Sequence, residues 1–391
     1  MLHNRYLIPG GEDQATIAEA ALLRDHGHDV ELLEEDNRRI EGLGKLQTAF
    51  NTIWSRESYQ RIHERLQART YDILHVQNFF PLWSPSVYYA ASRNHVPVVQ
   101  TLHNYRLMCV NSLFFRDQHI CEDCMGRLPW RGVLHACYRQ SRAASAVVAS
   151  MAGAHRLLGT WKERIAVYIA VSEFARDKYI AGGVPAEKIM VKPNFIDPVP
   201  AIGPGGGGYA LYVGRLSPEK GITTMLEAWK GAHNPIPLKV VGDGPLAELV
   251  RNATEACTKI EYLGGRTLAE VLELMRRAEF LVFPSEWYET MGRTIMEAFS
   301  VGTPAVAASI GPPASMVIPG INGFHFQPGN IASLRERVEW CSLNLESLRA
   351  MRGKARMAFD VSYTGAASAK TLVEIYKLAQ KRVAPKQNKS D

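Results

Sequence analysis

The stretch Pro284 to Pro304, PSEWYETMGRTIMEAFSVGTP, carries three carboxylates, Glu286, Glu289 and Glu297. Glu289 and Glu297 stand eight positions apart, with the turn Met291-Gly292 between them. The apolar run Phe280 to Phe283 reads as a strand, and Ala298 to Gly302 continue a helix-like pattern. Glu289 therefore falls on a strand-to-helix loop and Glu297 inside the helix. Eight helical residues span roughly 12 Å. That is too wide for two carboxylates sharing one proton. It suits a grip on two ends of one elongated ligand, such as the two sugars of a nucleotide-sugar. Taken alone, the pair reads equally well as surface glutamates on a solvated helix.

Other strand ends carry compatible chemistry. The run Tyr209 to Val213 leads into Gly214-Arg215-Leu216-Ser217-Pro218-Glu219-Lys220-Gly221 and then a helical pattern. Two cations beside a helix N-terminus make a diphosphate site, because free N–H groups and the helix dipole favour an anion. The plain alternative is a basic surface loop. Val241-Gly242-Asp243-Gly244-Pro245 is half of a dinucleotide fingerprint, and a second turn, Gly264-Gly265, follows Ile260 to Leu263. Gly10-Gly11 precede Glu12-Asp13 and a helical pattern, so a ligand could approach backbone N–H groups there; a simple tight turn explains them as well. His103 and Asn104 follow the run Val96 to Leu102 at its carboxyl end, where a functional histidine and a structural one are both expected.

Four of the six cysteines lie between Cys109 and Cys137. Cys121-x-x-Cys124 has metal-ligand spacing, and with Cys109 and Cys137 it is compatible with a structural zinc. A redox pair or buried thiols are the alternatives. Residues 127 to 164 hold seven Lys/Arg against one acid, Glu163, with Trp130 and Trp161 near the two ends. Such a segment suits an anionic bilayer surface, or is merely a solvated basic face.

These residues need a scaffold. A chain of 391 residues exceeds one comfortable core and predicts about two domains. Its 46% hydrophobic and 21% charged residues are those of a soluble globular protein, and its net charge of +6 allows anionic partners. The start, MLHNRYLIPGGED, has no signal-peptide apolar core, and no run of 18 apolar residues predicts a membrane span. The cysteine content then points to a reducing cytoplasm. Short apolar runs alternate with helical patterns in both halves. Strands are predicted at 30–33, 73–76, 96–102, 165–171 and 189–191, then at 209–213, 238–241, 260–263, 280–283 and 305–307. This predicts an α/β protein with two doubly wound parallel sheets. The expected layout is an N-terminal domain 1–195 with a Cys-rich insert at about 105–140, a Pro/Gly linker 196–208 and a C-terminal domain 209–365. A helix at 366–385, packing back toward the N-domain, and a disordered tail 386–391 follow. A first strand is expected to be largely missing, because only Met1 and Leu2 precede His3-Asn4-Arg5-Tyr6. That start reads as cut short or as opening on a very short strand.

Together the Arg215/Lys220 loop, the Gly242 to Pro245 turn and the Glu289 to Glu297 segment running to Gly302-x-Pro304 resemble the retaining glycosyltransferases of family 4. So do His3 to Tyr6 leading through Pro9-Gly10-Gly11, Thr101 to Arg106, and Ser172-Glu173-Phe174, over nearly the whole chain. The resemblance implies the GT-B fold, two Rossmann-like domains facing a central cleft. It implies transfer of a hexosyl group from a nucleotide-diphosphate sugar to a glycan or lipid-linked acceptor, in bacterial surface-polysaccharide synthesis. Glu297 would hold the donor ribose and Glu289 a sugar hydroxyl. Met291, Gly292, Arg293 and Thr294 would line the sugar, and Arg215 and Lys220 would neutralise the departing diphosphate. Gly242, Asp243, Gly244, Gly264 and Gly265 would lie near the base, Gly10, Gly11 and Asn104 near phosphate or acceptor, and His103 would face the sugar. No Asp-x-Asp occurs, which predicts chemistry without a catalytic metal. The expected location is the cytoplasm, on the inner membrane face when attached; no nucleic-acid motif is present. Three positions depart from the family pattern: Ser315 stands near where a Glu is usual, Met291 replaces Phe, and Phe195 follows Asn194 in place of Gly. The rival readings are an inert nucleotide-sugar-binding or scaffolding relative and a sugar-nucleotide 2-epimerase.

Overall fold

The computed structural model describes residues 1–7 and 10–383; the predicted tail 386–391 and the last two positions of the predicted helix 366–385 lie outside them. The chain forms two compact units. The first comprises Met1–Phe114, Glu122–Asn194 and the chain from Ser368 onward; the second comprises Phe195–Ala367 with the short segment Phe115–Cys121.

In the first unit the strands are β1 (Leu2–Arg5), β2 (Leu33–Asp36), β3 (Leu74–Val76) and β4 (Val98–Leu102). A two-residue-strand hairpin, β5 (Phe115–Arg116) and β6 (His119–Ile120), interrupts before β7 (Val167–Ala170) and β8 (Ile189–Val191). The parallel sheet runs β2-β1-β3-β4-β7-β8. In the second unit β9 (Ala210–Val213), β10 (Leu238–Val241), β11 (Ile260–Gly264), β12 (Phe280–Phe283), β13 (Ala305–Ala308) and β14 (Gly323–Phe326) form a sheet ordered β11-β10-β9-β12-β13-β14. Strands such as Val167–Ala170 and Phe280–Phe283 are buried at every residue. Helices covering both faces of a parallel sheet leave no solvent side, so the strand reads as an unbroken apolar run.

In the two parallel sheets three strands depart from the sequence reading. β1 is present and internal, pairing with both β2 and β3. His3 and Asn4 are fully buried within it, which is why an apolar-run criterion passes over it. Their polarity is satisfied by the fold: His3 Nε2 meets Asp13 at 2.8 Å, and Asn4 Nδ2 donates to Asn37 at 2.8 Å. β2 lies three residues beyond the predicted 30–33, in the acidic run Leu33–Asp36, because register with Leu2–Arg5 outweighs local hydropathy at this sheet edge. β14, the other edge, was not predicted.

The second unit is built around Leu211, Val240, Phe280, Val282 and Trp229. In the first, helix Gly365–Val383 lays Leu372, Ile375 and Ala379 against Val99, Val167 and Ile169 of the sheet. The Pro/Gly stretch before β9 is seated rather than loose. Buried Arg352 donates to the carbonyls of Gly203, Arg276 and Ala278 at 2.9–3.1 Å. Among the described residues no helix is long and apolar enough to cross a membrane.

Candidate functional site

In the second sheet β9 has β10 on one side and β12 on the other, so the chain reverses its winding between β9 and β12. Ligands of such sheets bind outside the carboxyl ends of the strands at that reversal. The two loops that emerge there are Gly214–Gly221 and Pro284–Gly292. They are tied together, the Glu286 N–H donating to the Glu219 carbonyl at 2.9 Å. Gly221 sits at φ +68°, and a Cβ there would lie 2.0 Å from the Pro284 carbonyl oxygen, so only glycine lets the loops meet.

Their side chains form cation–carboxylate pairs. Lys220 Nζ donates to Glu289 Oε1 at 2.7 Å and lies 5.3 Å from the centre of the Trp287 ring. Ser285 Oγ donates to the same carboxylate oxygen at 2.7 Å. Arg215 pairs with Glu219, and its Nε donates to Ser217 Oγ at 3.2 Å. Burial raises the Glu219 carboxyl, but the Arg215 guanidinium and the Ser217 hydroxyl outweigh it and hold the group below the usual carboxylate range. On helix Arg293–Ser300, Arg293 Nε donates to Glu297 Oε1 at 2.9 Å, one turn away. Glu289 and Glu297 are both buried. Each cation thus carries its own counter-charge, which orients it.

Glu219 and Glu286 were not singled out from sequence. Glu219 has a legible signal, four residues from Arg215 in a loop rich in helix-start residues. Glu286, which accepts from Thr224 Oγ1 at 2.5 Å, was noted only as a neighbour.

The glycine turns divide. A Cβ on Gly242 would lie 1.9 Å from the Gly214 carbonyl oxygen, and one on Gly244 2.5 Å from that of Leu216. These two glycines let the β10 turn pack on the Arg215 loop, and Leu216 N–H donates to the Asp243 carbonyl at 2.8 Å. Gly264 and Gly265 face open space. Met291 is buried, and Thr294 is partly exposed on the first turn of its helix. Gly292 precedes that helix, and a Cβ on it would lie 2.9 Å from Met316 Sδ. Ser315 donates to the Pro312 carbonyl at 2.9 Å, within its own short helix.

The first unit holds the remaining residues. Gly10 N–H donates to Asp13 Oδ2 at 2.7 Å, so this donor serves the helix start, and Gly11 opens helix Gly11–Asp25. Beside them Tyr6 OH donates to Glu12 Oε2 at 2.9 Å, and burial pushes the Glu12 carboxyl up to about 7. Asn104 Oδ1 accepts from the Arg106 N–H at 3.0 Å. His103 lines a small pocket with Gln77, Asn104, Arg106 and Tyr179. Its Nε2 lies 2.8 Å from Gln77 Oε1, while Gln77 Nε2 donates to Glu19 Oε1 at 2.6 Å. Because the Gln77 amide N–H₂ points at Glu19, the Gln77 oxygen takes a proton from His103 Nε2, which leaves Nδ1 as the acceptor of that ring. Glu19 is in turn paired with Lys192 at 2.6 Å, and Lys192 donates to Ser368 Oγ of the C-terminal helix at 3.2 Å.

Burial lowers His75 to about 4 and His103 to about 3. Both stay neutral in the fold while the unfolded chain takes up protons below about 6.5. The unfolded state therefore binds more protons as the pH falls, and stability drops from about pH 6.5 down toward the folded values, by up to ~1.4 kcal/mol per pH unit for each group. Glu12, raised to about 7, works in the opposite sense, but two imidazoles outweigh one carboxyl, so the thermal midpoint is expected to fall between about pH 6.5 and pH 4, and His75→Gln to flatten that slope. A midpoint constant across the window would refute this assignment.

Among the described residues no group of three or more His, Cys, Asp or Glu could hold a metal ion. Cys109 Sγ donates to Asn111 Oδ1 at 3.0 Å, and burial raises its thiol. Cys124 is buried.

Residues 9–199 match the family model described as Glycosyltransferase Family 4, and residues 202–358 that described as Glycosyl transferases group 1. The chain belongs to the family 4-type glycosyltransferases of the GT-B fold. An uncharacterized glycosyltransferase of Methanocaldococcus jannaschii is 30% identical over 41% of this chain and 45% of its own length. The phosphatidyl-myo-inositol mannosyltransferase of Mycobacterium leprae is 29% identical over 46% of this chain and 50% of its own. The matched region thus spans half or less of these relatives. Among solved structures, Anabaena HepE in complex with UDP superimposes with a TM-score of 0.67 at 20% identity, covering 96% of this chain and 98% of that one. Sucrose-phosphate synthase from Thermosynechococcus elongatus gives 0.70 at 15% identity, covering 95% and 94%. Both likenesses concern the fold of this glycosyltransferase.

Proposed function

We propose that this glycosyltransferase moves a hexosyl group from a nucleotide-diphosphate sugar to a glycan or lipid-linked acceptor, with retention of configuration and without a catalytic metal, in bacterial surface-polysaccharide synthesis. The observation that carries the reading is the cluster at the β9/β12 reversal, where Lys220–Glu289, Arg215–Glu219 and Arg293–Glu297 stand on neighbouring loops and one helix. Breaking a glycosyl–phosphate bond builds negative charge on the diphosphate. Fixed cations offset that charge without reorganising. Glu289 and Glu297 would accept from sugar hydroxyls, the first at the reacting sugar and the second at the ribose. His103, neutral, would face the transferred sugar. UDP in the HepE complex supports a nucleotide donor, and the inositol-lipid mannosyltransferase supports a lipid acceptor. Retention rests on the family resemblance, and metal independence on that resemblance together with the lack of Asp-x-Asp in the sequence.

A thermal-shift panel of UDP-, GDP- and ADP-sugars tests the reading. At one hundred times the dissociation constant a ligand adds about 2.7 kcal/mol, enough for several degrees. One nucleotide family is expected to raise the midpoint, and Lys220→Met to weaken that shift. If none does, the donor assignment fails. A shift without transfer to any acceptor, or to water, favours the inert relative.

A further inference from the structure

We propose that helix Lys45–Ile53 and the turn Trp130–Leu134 together dock the first unit on an anionic bilayer. The proposal rests on the lipid-linked reading of the acceptor, and it assigns the membrane surface to named residues. Leu46 and Phe50, one turn apart on that helix, are 77% and 71% exposed, and Trp54 after it is also exposed. The same helix buries Thr52 on its inner side, so an apolar stripe faces outward from a helix already seated on the protein. Trp130 and Leu134, also four apart, are each 56% exposed.

Both elements share one support, helix Arg142–Leu157. The His155 imidazole of that helix bonds the Ile53 carbonyl at 3.0 Å and stacks on Trp54. The Leu128 side chain lies over Gly153 on the same helix, and the turn Trp130–Leu134 follows directly. Charge names the occupant. Residues 127–164 carry seven cations against one acid, an excess that matches the net charge of +6 of the whole chain, so the remainder is balanced. Arg127, Arg139 and Arg142 in it are exposed. Outward Leu, Phe and Trp beside clustered arginines fit the interface of an anionic membrane, whereas a second copy of the chain would bring the same positive charge against itself. The structure also corrects one residue of the sequence reading. Trp161 is not part of this surface; it is buried among Phe79, Tyr88 and His155, its indole N–H donating to the Ala152 carbonyl.

Flotation of the full chain with vesicles of phosphatidylcholine alone and of phosphatidylcholine with phosphatidylglycerol tests this. Binding is expected only with phosphatidylglycerol, weakening as salt rises. Leu46→Ser with Phe50→Ser, and separately Arg127→Glu with Arg142→Glu, should each lower partitioning at least tenfold. Each pair should keep the parent's thermal midpoint and its donor-induced shift. Equal binding to both vesicle types, no binding at low salt, or a stable dimer that the Leu46/Phe50 variant abolishes would overturn the docking surface. A normal donor shift alongside any of these sinks the surface and leaves the transferase reading standing. Vesicle binding with no donor shift does the reverse.

Discussion

Replacing Lys220 with Met is expected to lower transfer by about 10²–10³-fold, the usual cost of losing one preorganised group at a developing oxyanion. Lys220 ends the Gly214–Gly221 loop, and its ammonium is held by the Glu289 carboxylate at 2.7 Å and by the face of Trp287. Glu289 is itself buried and fixed by Ser285. The ammonium therefore cannot drift into solvent and needs little reorganisation when a diphosphate arrives. The loss should fall mainly on kcat, because the charge it offsets is greatest as the bond breaks. Glu289→Gln is expected to reduce turnover as well, while Lys220 keeps an acceptor in the amide oxygen. Steady-state turnover on the responding nucleotide-sugar, read beside the thermal midpoint, checks both. Turnover of Lys220→Met within threefold of the parent would remove this residue from the reacting centre.

The second large effect is on stability. Lys192→Met should destabilise the protein by about 3–5 kcal/mol, the usual result of leaving one member of a buried ion pair without its partner. The side chains of Lys192 and Glu19 are 3% and 6% exposed, and their atoms approach to 2.6 Å. Burial raises the Glu19 carboxyl, but Lys192, followed by His75, overcomes this and brings it down to about 2. In the parent this stabilisation is complete above about 4.5 and is lost as the pH falls toward 2. Without Lys192 burial dominates, so the Glu19 carboxyl rises and is neutralised more readily. The deficit of the variant should therefore be largest near neutrality and shrink as the pH is lowered. Glu19→Gln combined with Lys192→Met should be milder than Lys192→Met alone, since no charge is then left buried. Denaturant unfolding of all four proteins supplies the comparison. A loss under 1 kcal/mol, or a double variant as unstable as the single, would contradict the account. The same pair anchors Gln77 and, through it, the ring of His103, so the single variant should also lose turnover at temperatures where it remains folded.

These two predictions draw on different kinds of legibility. That Lys220, Glu289 and Glu297 lie on strand-to-loop-to-helix segments was legible in the sequence, because a strand, a glycine turn and a helix start are local signals. The central strands of both sheets were readable for a related reason. Strands covered on both faces must be apolar throughout, and Val167–Ala170 and Phe280–Phe283 are. Edges and polar interiors were not. β2 was misplaced and β14 missed, since an edge strand takes its register from a neighbour rather than from its own hydropathy.

By itself the sequence determined that this chain alternates strands and helices in two halves, and that cations and carboxylates recur at strand ends. Only the tertiary structure decided what each of them meets. His3 and Asn4 form an internal strand because Asp13, Asn37 and the Leu82 N–H answer their polar groups from distant points of the chain. Glu19 orders Gln77 and His103, and Trp161 is drawn into the core while Leu46 and Phe50 are turned outward. For the polar groups the physical reason is shared. A buried polar group is tolerated only with a partner in place, and such partners lie far along the chain where no local pattern records them.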